Sequence, residues 1–185
     1  MSDPDIVEVL FSEERVKART QELGRAISQD YEGRTPHVVG VLRGVVPFMA
    51  DLVRAITIPL TLDFIAISRY GPSTRTRGVV RLIKDLDETI AGRHVLFVED
   101  VVDTGLTLNY ILNTLRRRYP ATLQVCTLFD RAVRRLANDL PIAYKGFDLP
   151  DQFVVGYGLD YRQRYRNLPY VGILDPRMYL PDQKE

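Results

Sequence analysis

Cysteine is nearly absent from this chain: Cys126 is the single one among 185 residues. One thiol closes no intramolecular disulfide and builds no multi-thiolate zinc site, which suits a reducing compartment. Its place in the apolar run LQVCTLF reads as core. No apolar run approaches the roughly 18 residues of a membrane span, and the start, MSDPDIVEVL, is acidic where a secretory leader is basic. The reading is a soluble, cytoplasmic protein with no membrane partner. An excess of one charge is missing too, since 25 Lys and Arg against 24 Asp and Glu leave +1. Affinity for a phosphate backbone comes largely from clustered cations, so this balance argues against a nucleic-acid partner. Internal repeats and low-complexity tracts are lacking, as is a Walker GxxxxGK[ST] motif. GYG at Gly156 to Gly158 has Tyr161 where a dinucleotide fingerprint needs its third glycine, and it reads as strand geometry.

What is present is an ordinary globular chain of one-domain length, 45% hydrophobic and 26% charged, enough to bury a core. Ser12 stands as an N-cap, Glu13 and Glu14 fall in a first turn, and Val16, Leu23, Ala26 and Ile27 recur at helical spacing until Gly33. HVVGVL (37–42) predicts a buried strand, and Pro47 opens a short helix through Ala55. IPLTLDFIAIS (58–68) predicts a central strand. RYGPSTRTRG (69–78), with two Gly, one Pro and three Arg, offers no core face and predicts a long lid or binding loop. VVRLIK resumes a strand, HVLFV (94–98) is a short run of the parallel-sheet type, and a helix from about Leu106 to Tyr119 leads to a strand at 123–129. Alternation of this kind means a mostly parallel α/β sheet. The last third, with FVVGYGL and VGIL as strands, reads as a smaller subregion.

Ligands of open α/β sheets bind beyond the carboxyl ends of strands, so the segment after HVLFV is where chemistry is expected. It reads EDVVDTGLTL (99–108). Glu99 and Asp100 sit where the apolar strand stops, and are either solvated turn residues or acceptors for a diol or a metal. Asp103, Thr104, Gly105, Leu106 and Thr107 combine two hydroxyls, a glycine and a helix N-terminus, the makings of an anion cradle suited to phosphate. A carboxylate beside phosphate is unfavourable unless Asp103 caps the helix or handles a proton. Together these residues describe a sugar-phosphate site. His37 and His94, both on strands, read as structural, and Arg116 to Arg118 as a solvated helix end.

The run VLFVEDVVDTGLTL resembles the phosphoribosyl-pyrophosphate motif of type I phosphoribosyltransferases. GFDLPDQFVVGYGLDYRQRYRNLPYVG (146–172), VLRGVVPFMADL and LDFIAIS resemble the purine branch, the hypoxanthine-guanine enzymes, so the likeness covers nearly the whole chain. It implies a single domain over 1–185: a mostly parallel twisted sheet flanked by helices, with a small hood from the N-terminal segment and roughly 146–185. It implies transfer of phosphoribosyl from 5-phosphoribosyl 1-pyrophosphate (PRPP) to a 6-oxopurine, with Mg²⁺, in a homodimer or homotetramer. Glu99 and Asp100 would hold the ribose hydroxyls, in part through Mg²⁺. Asp103 would be the acid-base residue near purine N7, and Asp103 to Thr107 would bind the 5′-phosphate. Arg43 and Gly44, after a cis Leu42–Arg43 peptide, would meet pyrophosphate together with Arg166. Val101, Arg131, Phe153 and Val154 would take the purine, with Phe153 stacking and the Val154 backbone reading the base edge. Asp160 would belong to the purine-binding set too and bind a second Mg²⁺. Ser68, Arg69 and Tyr70 would belong to the lid.

Two positions depart from the pattern. Arg131 stands where the family usually has Lys, and Arg69 where it has Ser before the lid Tyr. A planar fork does not replace a point charge one for one. Another base, xanthine above all, therefore stays open, as does a regulatory nucleic-acid-binding relative of the fold.

Overall fold

The computed structural model describes residues 3–69, 80–137 and 139–180. β1 (Ile6–Phe11) leads into α1 (Glu13–Asp30), where the Ser12 hydroxyl accepts the Arg15 N–H at 3.3 Å and two acids in the first turn complement the helix dipole. β2 (His37–Leu42), α2 (Val46–Ala55), β3 (Thr61–Arg69), β4 (Val80–Lys84), β5 (His94–Val102), α3 (Leu106–Arg116) and β6 (Thr122–Asp130) follow in order. β7 (Ile142–Asp148), β8 (Val154–Val155) and β9 (Val171–Leu174) complete the described strands.

Six strands form one sheet in the order β4-β3-β2-β5-β6-β7, parallel throughout except for β4, and three form a separate antiparallel sheet, β1-β9-β8. Alternation along the central strands sorts the core onto two faces. Val38, Leu96, Val98 and Leu128 pack with Val16, Leu23 and Ile27 of α1 and Phe48, Met49 and Leu52 of α2. Val39, Val41, Phe97 and Val125 pack with Leu108, Ile111, Leu112 and Leu115 of α3. The small sheet has its own cluster of Ile6, Val155, Tyr165 and Leu174. α1 and α2 meet closely, since a Cβ on Gly24 would lie 2.5 Å from that of Ala55.

Several expectations need correction. β1 lies in a stretch to which the residues gave no strand, and it pairs with β9 in the small sheet. β7 is the sixth strand of the main sheet, parallel to β6, so the chain through Asp148 belongs there. β5 does not stop at Val98: Glu99 and Asp100 are strand residues, because pairing with β6 continues to Val102↔Asp130. FVVGYGL is a strand only at Val154–Val155. Gly156 and Gly158 have φ of +103° and +97°, in tight turns rather than extended backbone. Helix α1 ends at Asp30 rather than running on to Gly33, and α3 ends at Arg116 rather than about Tyr119.

Candidate active site

The sheet reverses its winding between β2 and β5, with the helix after β2 on one face and the helix after β5 on the other. This is the switch point at which open α/β sheets form a crevice. β2 and β5 pair only as far as Gly40↔Val98, while β2 stays with β3 to Leu42↔Ala66 and β5 stays with β6 to Val102. The two strand ends therefore separate.

Backbones crowd into the gap. The Leu42–Arg43 peptide is cis, as the resemblance implies. An added Cβ on Gly44 would lie 1.8 Å from Asp100 Oδ2 and 3.5 Å from Arg166 Nη1, so a side chain there would have to move that carboxylate or the loop. One on Gly158 would lie 2.0 Å from the Gly44 carbonyl oxygen, which sets the GYG turn directly on the loop after β2. Arg166 Nη1 donates to the Gly158 carbonyl at 2.6 Å, and its Nη2 pairs with Asp160 Oδ1 at 2.7 Å. The cation is thus held in place by the chain itself.

Beside these groups is a cavity of about 200 Å³. Asp100, Val101 and Asp103 from the β5 end, Arg131 after β6, and Phe153, Val154, Leu159, Asp160 and Arg166 from the last third line it. Clefts of about 340 and 290 Å³ lie on α1–α2 and around Tyr31 and Tyr144, away from the carboxyl ends of the central strands, where this fold class binds ligands. Phe153 is half-buried rather than core; its ring stacks on Tyr179 at 5.0 Å and meets Tyr161 edge-on at 5.6 Å. Arg131 is 8% exposed, its Nη2 donates to the Gln152 carbonyl at 2.9 Å, and its Nη1 lies 3.8 Å from Asp103 Oδ1. Burial lowers its pKa, with Asp103 acting in the opposite direction.

Asp103 does not cap α3. Gly105 occupies the N-cap in the left-handed region, with no side-chain cap bond, and Asp103 Oδ1 is buried with no hydrogen-bond partner among the described residues. Arg131 Nη1 at 3.8 Å lies beyond hydrogen-bond reach, so this oxygen keeps its capacity to accept. Burial pushes Asp100 up to about 6, with hydrogen bonds and Arg166 pulling it down and Asp160 pushing it up. That carboxylate is short of positive charge, which a cation would supply. No described group of three or more His, Cys, Asp or Glu is arranged for a metal. Mg²⁺, however, usually rests on one or two carboxylates plus substrate phosphates, and Asp100 with its neighbour Glu99, and Asp160 on the same cavity, suit that mode.

Of the other expected residues, Thr104, Gly105, Leu106 and Thr107 form the turn entering α3, and Glu99 and Gly44 adjoin Asp100, none of them lining the cavity itself. Arg43 is exposed on the loop after β2. Ser68 is half-buried near the end of β3 and pairs with Arg81, and Arg69 pairs with Val80 through the backbone. Tyr70 and the loop through Gly78 lie outside the described residues. Sequence reasoning did not single out Gly158, which receives Arg166, or Gln152, whose carbonyl anchors Arg131. The paired glycines of GYG were the visible signal for the first; a backbone carbonyl leaves none for the second.

A family model for the phosphoribosyl transferase domain matches residues 8–162. The chain belongs to that family. It is 51% identical over 181 residues to the hypoxanthine-guanine phosphoribosyltransferase of Mycobacterium avium, covering 95% of this chain and 89% of that one. Among solved structures, a hypoxanthine phosphoribosyltransferase from Staphylococcus aureus superposes with a TM-score of 0.90 at 44% identity, covering 96% of each chain. The Trypanosoma cruzi hypoxanthine phosphoribosyltransferase, solved with its product IMP, superposes at 0.89 and 36% identity, covering 97% of this chain and all of that one. The phosphoribosyltransferase fold read from the sequence is the fold of this family member.

Proposed function

We propose that this chain is a pentosyltransferase of purine salvage, moving the phosphoribosyl group from PRPP to hypoxanthine or guanine and releasing IMP or GMP and pyrophosphate. The observation that carries the reading is Asp103. Its buried Oδ1, with no described hydrogen-bond partner, stands in the wall of a cavity that also holds a half-buried aromatic ring and a fixed guanidinium, directly before a phosphate-type turn. The naming of relatives at 51% and 44% identity supports the same activity.

In this reading a purine nitrogen attacks C1′ of PRPP, the C1′–O bond to pyrophosphate breaks with its electron pair on the departing oxygen, and the base proton passes to Asp103. Thr104 to Thr107 hold the 5′-phosphate on backbone N–H groups at the start of α3. Arg43 and Arg166 stabilise the growing charge on pyrophosphate, and Gly44 leaves the backbone free to approach it. Phe153 stacks on the base, and Val101 and the Val154 backbone border it. Arg131 donates to its 6-oxo group. Glu99 and Asp100 take the ribose hydroxyls and, with Asp160, would hold Mg²⁺, which would neutralise the leaving group. Ser68 and Arg69, at the end of β3, would lead into a lid that begins at Tyr70 and excludes water from the reactive centre. Residues 1–185 act as one unit, a homodimer or homotetramer in a reducing cytoplasm, for which light scattering gives the assembly.

The test is a spectrophotometric assay with Mg²⁺ and PRPP, offering hypoxanthine, guanine, xanthine, adenine and uracil separately. Turnover of hypoxanthine or guanine is expected. Preference for xanthine would make Arg131 a specificity switch, and no turnover of any base despite PRPP binding would favour a regulatory relative.

A further inference from the structure

The connection from β6 to β7 does more than deliver Arg131 to the base pocket. It leaves β6 with the Arg131 N–H on the Val102 carbonyl at 2.9 Å, then sends two further donors, the N–H groups of Leu136 and Ala137, to one acceptor, the Thr104 carbonyl, at 2.9 and 3.0 Å. The same segment closes off Gly105, whose φ is +77°: an added Cβ would lie 2.8 Å from Leu140 Cδ1, 3.0 Å from Arg135 Cδ and 3.2 Å from Ala137 Cβ. The turn assigned to the 5′-phosphate is therefore backed by Arg135, Leu136, Ala137 and Leu140.

What holds that backing is an ion pair. Arg135 reaches back to Asp130, the last residue of β6, and the two side chains are 17% and 9% exposed. The Asp130 carbonyl in turn accepts the Leu149 N–H at 2.8 Å, so the acid is fixed at both backbone and side chain. A buried pair of this kind is weak evidence for stability, because desolvation offsets much of its attraction, but it does specify one geometry.

We propose that Arg135 is a positioning residue for the phosphate turn: paired with Asp130, it holds residues 135–137 against Thr104 and Gly105 so that the turn is shaped before a phosphate arrives. The inference rests on the phosphoribosyl-transfer reading above. Donors set in advance lose nothing to reorganisation, and small displacements of positioning groups are costly.

Steady-state kinetics on the full chain, with PRPP and the base that the parent protein prefers, test it. Arg135→Met keeps the aliphatic stem and removes the charge. It should raise KM for PRPP roughly tenfold, without lowering kcat at saturation and with KM for the base within about twofold. Arg135→Lys should restore most of the loss, and Asp130→Asn should reproduce the split. An unchanged KM for PRPP, or equal rises in both KM values, would overturn the assignment. Should Arg135→Met fail to fold, Asp130→Asn alone is judged by the same split. A parent protein without turnover defeats the underlying reading instead, and the two failures are told apart before any variant is made.

Discussion

A carboxylate spared from capping is the feature that most narrows the chemistry. Had Asp103 been the N-cap of α3, its oxygens would be committed to backbone N–H groups; Gly105 takes that position and leaves Asp103 Oδ1 with no described hydrogen-bond partner, only the Arg131 guanidinium at 3.8 Å. Asp103→Asn keeps size and polarity while removing basicity, so kcat should fall about 10²- to 10⁴-fold with nucleotide affinity nearly unchanged. Kinetics beside equilibrium binding of IMP decide this, and equal losses in both would take Asp103 out of proton transfer. Gly44 makes the complementary case, a residue chosen for having no side chain. With an added Cβ 1.8 Å from Asp100 Oδ2, Gly44→Ala must displace either the loop after β2 or the carboxylate. A loss of roughly 10²-fold in kcat/KM for PRPP is expected, with the melting temperature little changed, and preserved kinetics would show that the loop yields without cost.

At the scale of elements, the amino ends of β2 and β3 hold a buried polar cluster far from the cavity. His37 is fully buried, its Nδ1 is 2.8 Å from Thr61 Oγ1, and its Nε2 is 3.9 Å from Asp63 Oδ2. Burial lowers its pKa, aided by the charge of Arg93 and opposed by Asp63 and Glu88. The folded state therefore holds the neutral ring, while an unfolded chain takes up a proton near the ordinary value of about 6.5. Stability from this group is present above that value and is lost as pH falls below it. Asp63, whose pKa is lowered, begins to matter only below the ordinary carboxylate range. Melting temperature should drop between about pH 7 and pH 5, and His37→Asn should flatten that drop; an equal drop in the variant would assign it to other groups. The elements legible in the sequence are the ones buried on both faces, such as β2, β5 and β6, whose apolar runs leave no alternative. β7 was not legible because it is an edge strand with Lys145 and Asp148 exposed and Gly146 between them only half-buried. The end of β5 misled for a related reason: a polar side chain does not end a strand whose backbone still has a partner, and β6 supplies one on a single side. Of the side chains lining the cavity, Asp100 and Asp103 were named from their own pattern and Phe153 and Arg166 through the resemblance, whereas GYG was misread as strand geometry and the Gln152 carbonyl left no signal.

For the whole molecule, the cavity lies where two sheets meet, since Asp100 and Val101 come from the large one, Asp103 follows its strand β5, and Val154 comes from the small one. The joint is short. Tyr157, in the turn between β8 and the arginine-rich segment, donates its hydroxyl to Asp51 Oδ2 on α2 at 2.6 Å, and burial together with the Asp51 hydrogen bond pushes the phenol's pKa up, so it stays a donor. The next residue, Gly158, rests on the Gly44 carbonyl and receives Arg166. A hydrogen bond that only added stability would be worth about 1 kcal/mol; this one also sets the height of the GYG turn over the loop after β2. Tyr157→Phe should cost about 1 to 2 kcal/mol in urea unfolding and lower kcat/KM for PRPP several-fold through the displaced Arg166, while the base, held by Phe153 and Val154, keeps its KM. Lost stability with unchanged kinetics would mean that the close glycine contacts alone hold the two sheets in register. Unchanged stability would mean that Asp51, already paired with Arg54, gains nothing net from the phenol.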